Sequence, residues 1–317
     1  MSSFMLGTDP EFVLLESGVP ISAINRVPGD KKNRHHVGQN DFYYDNALAE
    51  CSVEPSRDRN HFVSNIKIAL QQYSGVVRPA TLGLIAAVHF SQKELDHPEA
   101  MKIACDPERC AYTLDEVNRE DAENLLQSTT LRTAGGHIHV GSEIIKQGRN
   151  ALFATRMFDL FLGTASIFID KDPTSLERRK LFGRAGRYRK PDHGVEYRTL
   201  SNFWLASPAH VGFIWDMSEF VVDFVTNQKH LDFWEVDEET LADDDAWNQD
   251  DFDPANCHVC YGYDVHSLRE AIDEHDKSKG QEFLDFVKEL LPSKINDQID
   301  KLAEMPLLNL YEEWNIV

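Results

Sequence analysis

Short runs of alternating apolar and polar residues are interleaved along this chain with longer stretches of helical spacing. Residues 4–16 read as a strand, alternating around Asp9 and Glu11 and ending in the turn at Ser17 and Gly18. Residues 46–53 form a second strand candidate, broken by Pro55, and 82–90 is an apolar run compact enough for a buried strand. Residues 136–141 hold a short strand, HIHV, between glycines, and 195–200 hold another. From Ser56 onward the pattern turns helical, with Phe62, Ile66, Ala69 and Leu70 on one face up to about Tyr73. Residues 150–169 are apolar all round and predict a core helix, as do 208–225. Residues 265–275 and 281–302 predict amphipathic helices, while 230–256, acidic and turn-rich, predict a flexible insertion. With no internal repeat and an irregular alternation of elements, the pattern predicts an α+β fold with a helical, acidic C-terminal part.

Composition narrows the function classes. The 317 residues are 42% hydrophobic and 27% charged, ordinary for a globular protein of one large or two modest domains. The net charge is −21, so non-specific nucleic-acid binding is not expected. The surplus is uneven: residues 216–317 carry 27 acidic and 7 basic side chains, and the preceding 215 are nearly balanced. Such a tail is a solvated, solubilising surface, an acidic mimic of a nucleic acid, or a repeller that keeps anionic competitors away. The opening MSSFMLGTDPEF lacks a basic n-region, so no secretory signal is expected. The near-apolar run 82–90 is too short for a bilayer, and no membrane partner is expected. Five cysteines, an odd number, fit reduced thiols and a cytoplasmic location.

Four segments carry chemistry. In GTDPEF, Asp9 and Glu11 are two apart, which on a strand puts both carboxylates on one face with Cα atoms about 6.6–7 Å apart. That pair either faces solvent or binds a divalent cation. In DNALAE, Glu50 lies between Ala49 and Cys51; it either reaches solvent at a strand end or is buried and needs a cation or hydrogen bonds. Asp45 stands at the mouth of that strand. In TAGGHIHVG, His137 and His139 share a face, suited to a metal or a phosphate, and the glycines permit close approach of a ligand. In GRAGRYRKPDHGVEYRTL, Arg184, Arg187 and Arg189 precede the same-face pair Glu196 and Arg198; guanidinium groups suit phosphate and carboxylate. Phosphate-loop, dinucleotide-turn and nucleophile-elbow motifs are all missing. CHVC at 257–260 is half a zinc site, with Cys105 and Cys110 as the other plausible thiolates. His35 and His36, in the polar, basic loop 29–39, read as surface or substrate-loop residues.

In their order, these segments resemble the glutamine synthetase and glutamate–cysteine ligase superfamily, and more closely its phage-type carboxylate–amine ligases, or amidoligases. GTDPEF, AGGHIHVG and GVEYRTLSNFW carry the resemblance, which spans about residues 4–215. It implies a curved antiparallel sheet of glutamine synthetase-like type with packed helices. Residues 1–228 would form the catalytic domain, and 229–317 an acidic, mostly helical extension packed on or inserted into it. It implies ATP and Mg²⁺ as cofactors, with Mn²⁺ an acceptable substitute because histidine is an uncommon Mg²⁺ ligand. Asp9, Glu11, Glu50, His137 and Glu196 would be metal ligands, and Asp9 departs from the glutamate often found in relatives. His139 would face the nucleotide phosphates, and Arg198, with Arg184, Arg187 and Arg189, would neutralise the γ-phosphate and the substrate carboxylate. Asp41 or Asp45 would take the amine proton. The implied activity is amide or peptide-like bond formation through an acyl phosphate, in the host cytoplasm if the protein is phage-encoded. The implied partners are small-molecule or peptide carboxylates and amines, with the identity of both and any homo-oligomer left open. Two other readings stand beside it: a non-catalytic acidic interaction protein, and a metal-dependent hydrolase using the same acids and histidines without ATP.

Overall fold

Among the residues described (4–101, 108–116, 124, 127–229, 259–260 and 263–316), the computed structural model joins eleven strands into one antiparallel sheet. In chain order these are β1 (Phe4–Thr8), β2 (Glu11–Glu16), β3 (Val19–Ile21), β4 (His35–Val37), β5 (Asn40–Asp45), β6 (Leu48–Ser56) and β7 (Thr81–Gly83). After β8 (Ala87–His89) come β9 (Arg109–Cys110), β10 (Leu131–Thr133), β11 (Ile138–Ser142), β12 (Arg187–Arg189) and β13 (Gly194–Tyr197). The main path runs β3-β2-β6-β1-β11-β13-β12-β9, with β5 on β6, β4 on β5 and β7 on β2; β8 and β10 pair separately.

The run 4–16 is two strands rather than one. Pro10 has no N–H to give to a ladder and only accepts, from Cys51 N at 3.2 Å, so regular pairing stops at Thr8 and resumes at Glu11. Both halves still lie along β6, where Thr8 faces Val53 and Glu11 faces Glu50. The run 82–90 is likewise divided between β7 and β8, because the backbone of Ala86 leaves the ladder to bond Asp172 Oδ2 and Ala134 N. Pro55, by contrast, does not end its strand, which continues to Ser56.

Helix α1 (Arg59–Val76) starts at Asp58, whose side chain accepts from His61 N, and it buries Phe62, Ile66, Ala69 and Leu70 as the spacing predicts. The long helix α2 (Asn150–Ile169) contains a π turn at Asp159–Gly163. By length and apolarity α2 could cross a bilayer, but 94% of its most apolar window is buried inside the protein. Its polar groups are used internally: Arg156 Nε donates to Ala111 O at 2.8 Å, and Asp159 accepts from Tyr197 Oη at 2.7 Å. Burial pushes Asp159 up to about 7. After the short α3 (Ser175–Arg179), α4 (Pro208–Thr226) is capped by Ser207.

The predicted helix 281–302 is two, α6 (Lys277–Leu290) and α7 (Ser293–Glu304), interrupted where Pro292 cannot donate. With α5 (Val265–Asp273) and α8 (Leu310–Trp314) they share the main core: Leu268, Ile272, Phe283, Val287, Ile299 and Leu302 join the apolar cluster that holds Phe161, Ile167 and Val221. Trp314 Nε1 donates to Leu205 O at 2.7 Å, and Asp216 accepts from Arg59, Lys294 and Gln298. The acidic insertion at 230–256, Cys105 and Cys257 lie outside the described residues; Cys51 and Cys110 are free thiols.

Candidate active site

Alternation across the sheet sorts its side chains. On β11, Ile138 and Val140 enter the core, and on β13 so do Val195 and Tyr197; His137, His139, Glu196 and Arg198 therefore belong to the opposite face. Register then brings acids from distant parts of the chain together. His139 pairs with Glu196, Arg189 pairs with Glu196, and Glu50 is flanked by Glu11 and Tyr43.

Two clusters result, and the break at Pro10 assigns Asp9 to one and Glu11 to the other. In the first, Asp9 Oδ1 lies 3.0 Å from His139 Nε2 and 3.3 Å from His137 Nδ1, and Glu196 Oε1 lies 3.7 Å from His137 Nδ1. Asp9, His139 and Glu196 each bring a ligand atom within 4.8 Å of the other two. Arg198 Nη1 donates to Glu196, Arg198 Nε donates to Glu108 Oε2 at 2.8 Å, and Arg189 Nη1 stands 3.3 Å from Glu196. Arg187 Nε is 3.7 Å from Glu108. In the second cluster, Glu11, Asp45 and Glu50 likewise each bring a carboxylate oxygen within 4.8 Å of the other two. Tyr43 Oη donates to Glu50 Oε1 at 2.9 Å, and Lys31 Nζ bonds Asp45 and lies 3.7 Å from Glu50 Oε2.

The glycines before the histidines serve the protein itself. A Cβ on Gly135 would fall 2.4 Å from His137 Nε2, and one on Gly136 would fall 2.6 Å from Trp204 Nε1 and Ser201 O. The room they leave is filled by the His137 ring and by Trp204. Gly135 N also donates to Glu11 Oε2 at 2.6 Å, which ties the H-x-H strand to the second cluster.

The clusters differ electrically. Burial pushes Asp9 up, but His139 and His137 outweigh it and hold the carboxyl well below its ordinary value. Glu196 and Glu108 are likewise held low, burial being outweighed chiefly by Arg198. Burial lowers His139, yet Asp9 and then Glu196 raise it above the usual imidazole value. Glu50 goes the other way: burial pushes it well above the carboxylate range, Lys31 opposes, and Asp45, Asp9 and Glu11 add to the rise.

Of the residues singled out in the sequence, Asp9, His137, His139, Glu196, Arg189 and Arg198 meet at the first cluster, with Arg187 at its edge. Glu11, Asp45 and Glu50 form the second. Arg184 is brought to neither; it is exposed, and its Nε donates to Arg179 O at 3.2 Å. Asp41 pairs with His36 and lies 3.7 Å from Arg34. Sequence reasoning missed Glu108 and Lys31. Glu108 carried no signal, and Lys31 had only its membership of a basic loop.

Asp9 Oδ1 and His139 Nε2 face each other as an ion pair at 3.0 Å, whereas Glu50 Oε2 is buried and makes no hydrogen bond. A buried carboxylate oxygen left over among other acids is what a divalent cation satisfies. The all-carboxylate second cluster has the hard oxygen donors Mg²⁺ takes, and the mixed nitrogen and oxygen set of the first also suits Mn²⁺.

Residues 119–248 match the family described as Phage phiEco32-like COOH.NH2 ligase-type 2. That span holds the H-x-H strand, the arginine loop and the E-x-R strand, whereas Asp9, Glu11 and Glu50 lie upstream of it. No curated protein matches the sequence. Among solved structures, a bifunctional glutathione synthetase from Pasteurella multocida aligns with a TM-score of 0.41 at 8% identity, over 98% of this chain and 52% of that one. The chain thus spans about half the length of that protein.

Proposed function

We propose that the chain is an ATP-dependent carboxylate–amine ligase of glutamine synthetase-like type, its catalytic domain lying in residues 1–228 with the helices of 229–317 packed against it. The observation that carries this reading is the convergence of ligand atoms in two adjacent clusters beside Arg187, Arg189 and Arg198, with Glu50 Oε2 buried and unbonded in the second. The ligase family matched by residues 119–248 supports it. Asp9, His139 and Glu196 would hold one divalent cation, His139 taking the ligand role expected of His137, whose Nδ1 lies 3.2 Å from Arg198 Nη1, and Glu11 and Glu50 would hold a second, with Asp45 at the mouth of that pocket. Such ions, when bound, offset charge on the β- and γ-phosphates of ATP.

The residues of the chain account for the rest. A free carboxylate is a poor acyl donor, so its oxygen first takes the γ-phosphoryl group; the bond to ADP breaks and an acyl phosphate forms. Arg198 and Arg189, both paired with Glu196, would donate to oxygens that gain charge in this transfer. The amine nitrogen then attacks the acyl carbon, the bond to phosphate breaks, and the amide remains. Asp45, at the mouth of the second pocket, would accept the amine proton.

Thermal unfolding of the wild type and Glu11→Ala, each with and without ATP and Mg²⁺, tests the reading. A ligand at about a hundred times its dissociation constant stabilises by roughly 2.7 kcal/mol, a shift of a few degrees. A shift in the wild type that Glu11→Ala abolishes is the expected result, followed by ADP release when carboxylate and amine are supplied together. A response to Mg²⁺ with none to nucleotide, even with both substrates present, would overturn the ligase in favour of the hydrolase.

A further inference from the structure

Of the basic segment 29–39, His35–Val37 is strand β4, paired with β5, and only residues 29–34 form a loop, which is folded back over the second cluster. Tyr44 N donates to Gly29 O at 3.0 Å, and the Asp30 side chain accepts from Lys32 N at 2.7 Å and Asn33 N at 2.8 Å, which turns the chain between them. Two cations of the loop are thereby laid on β5 and β6. The Arg34 guanidinium stands 4.5 Å from the centroid of the Tyr43 ring, and its Nη1 donates to Ser52 Oγ at 3.0 Å. Lys31 reaches further in, its Nζ on Asp45 and 3.7 Å from Glu50 Oε2, with 23% of its side chain exposed.

The occupant and the pocket are mismatched. Glu11, Asp45 and Glu50 offer three carboxylates, while Lys31 brings one positive charge on a flexible stem. Glu50 is 3% exposed, and its Oε2 still makes no hydrogen bond with the lysine nearby. A hard divalent ion takes six or more oxygen ligands and would use the acceptor that the ammonium leaves over. Two cations cannot share so small a space without strong repulsion.

We infer that Lys31 is a tethered stand-in cation, which holds the Glu11–Asp45–Glu50 pocket until a divalent ion enters and expels it together with the loop at 29–34. The inference rests on the reading of that pocket as a metal site, and not on the identity of the substrates. Lys31 then does two things. It neutralises the acids when the pocket lacks a divalent ion, and it competes with that ion. Loading the pocket also detaches the loop from Asp45, so the entrance to the second cluster opens as the metal arrives.

The test uses the full chain, Mn²⁺ as the probe, and Lys31→Met beside the wild type and Lys31→Arg. Mn²⁺ affinity is read by calorimetry, and loop opening by amide hydrogen exchange over residues 29–34. Lys31→Met should bind Mn²⁺ about tenfold more tightly at this pocket, the factor for a site open roughly a tenth of the time. Lys31→Arg should stay near the wild type. In the wild type, exchange across 29–34 should rise on adding Mn²⁺, and in Lys31→Met it should be fast from the start. Equal affinity in all three proteins would overturn the role of Lys31 alone. Should Lys31→Met not fold, unchanged protection of the wild-type loop on adding Mn²⁺ would overturn it equally. Mn²⁺ competition without any response to ATP would sink the ligase reading and leave this one standing, whereas no Mn²⁺ binding in any variant would remove both.

Discussion

The first cluster and the second are neighbours on one sheet and draw on the same kinds of acid, but their charge is balanced in different ways. Asp9, Glu108 and Glu196 meet cations built into strands or their immediate ends: His137, His139, Arg189 and Arg198. Glu11, Asp45 and Glu50 meet Lys31, which comes from a loop. Strand-borne cations cannot leave, so the first cluster is a finished electrostatic unit even without a ligand. The second is balanced by a side chain that can withdraw, and its most buried acid, Glu50, is correspondingly under strain. Fixed neutralisation favours a defined geometry; removable neutralisation favours exchange of occupants.

The largest test of this contrast is Arg198→Ala. It strips the partner from Glu108 and Glu196, both more than nine-tenths buried, and should cost about 3–5 kcal/mol in denaturant unfolding. A loss under 1 kcal/mol would mean that solvent already screens the first cluster. Gly135→Ala should come next. Its methyl group would press on the His137 ring, and overpacking of this kind costs about 1–3 kcal/mol. The variant should also weaken Mn²⁺ binding at the first cluster more than at the second.

How legible was this in the sequence? The H-x-H and E-x-R pairs could be read because a strand's period of two fixes which residues share a face, and β11 and β13 obey it. Helices α1, α2 and α4 were legible from apolar spacing for the same kind of local reason. The division of Asp9 from Glu11 was not, since the alternation continues through Pro10 while the hydrogen-bond ladder does not. Glu108 was hidden because its meaning lies in Arg198, 90 residues away. Lys31 was hidden because nothing local says that a polar loop folds inward. The break at Pro292 was masked by an amphipathic period that runs on across it.

The smallest effects should have opposite signs. Asp9, Glu108 and Glu196 have depressed folded values, so the stability they contribute is full above their unfolded values, near about 4, and is lost as pH falls through the folded ones. His139 is raised, so its contribution is full below about 6.5 and is lost as pH rises through its folded value. Glu50 is a raised acid, and its ionisation weakens the fold as pH climbs from about 4.3 toward its folded value. In metal-free protein at neutral pH, Glu196→Gln should therefore lower the melting temperature and Glu50→Gln should raise it, each by an amount on the order of 1 kcal/mol. Melting curves from acid to neutral pH would show both signs, and a drop for Glu50→Gln would erase the contrast between the clusters.

Pro10 carries one further consequence. It is the sole residue between Asp9 and Glu11, and its ring holds φ near about −65°. One of the few backbone torsions linking the two centres is therefore fixed by ring closure, so part of their offset is written into the covalent chain and the rest is left to the strands and side chains that complete each cluster.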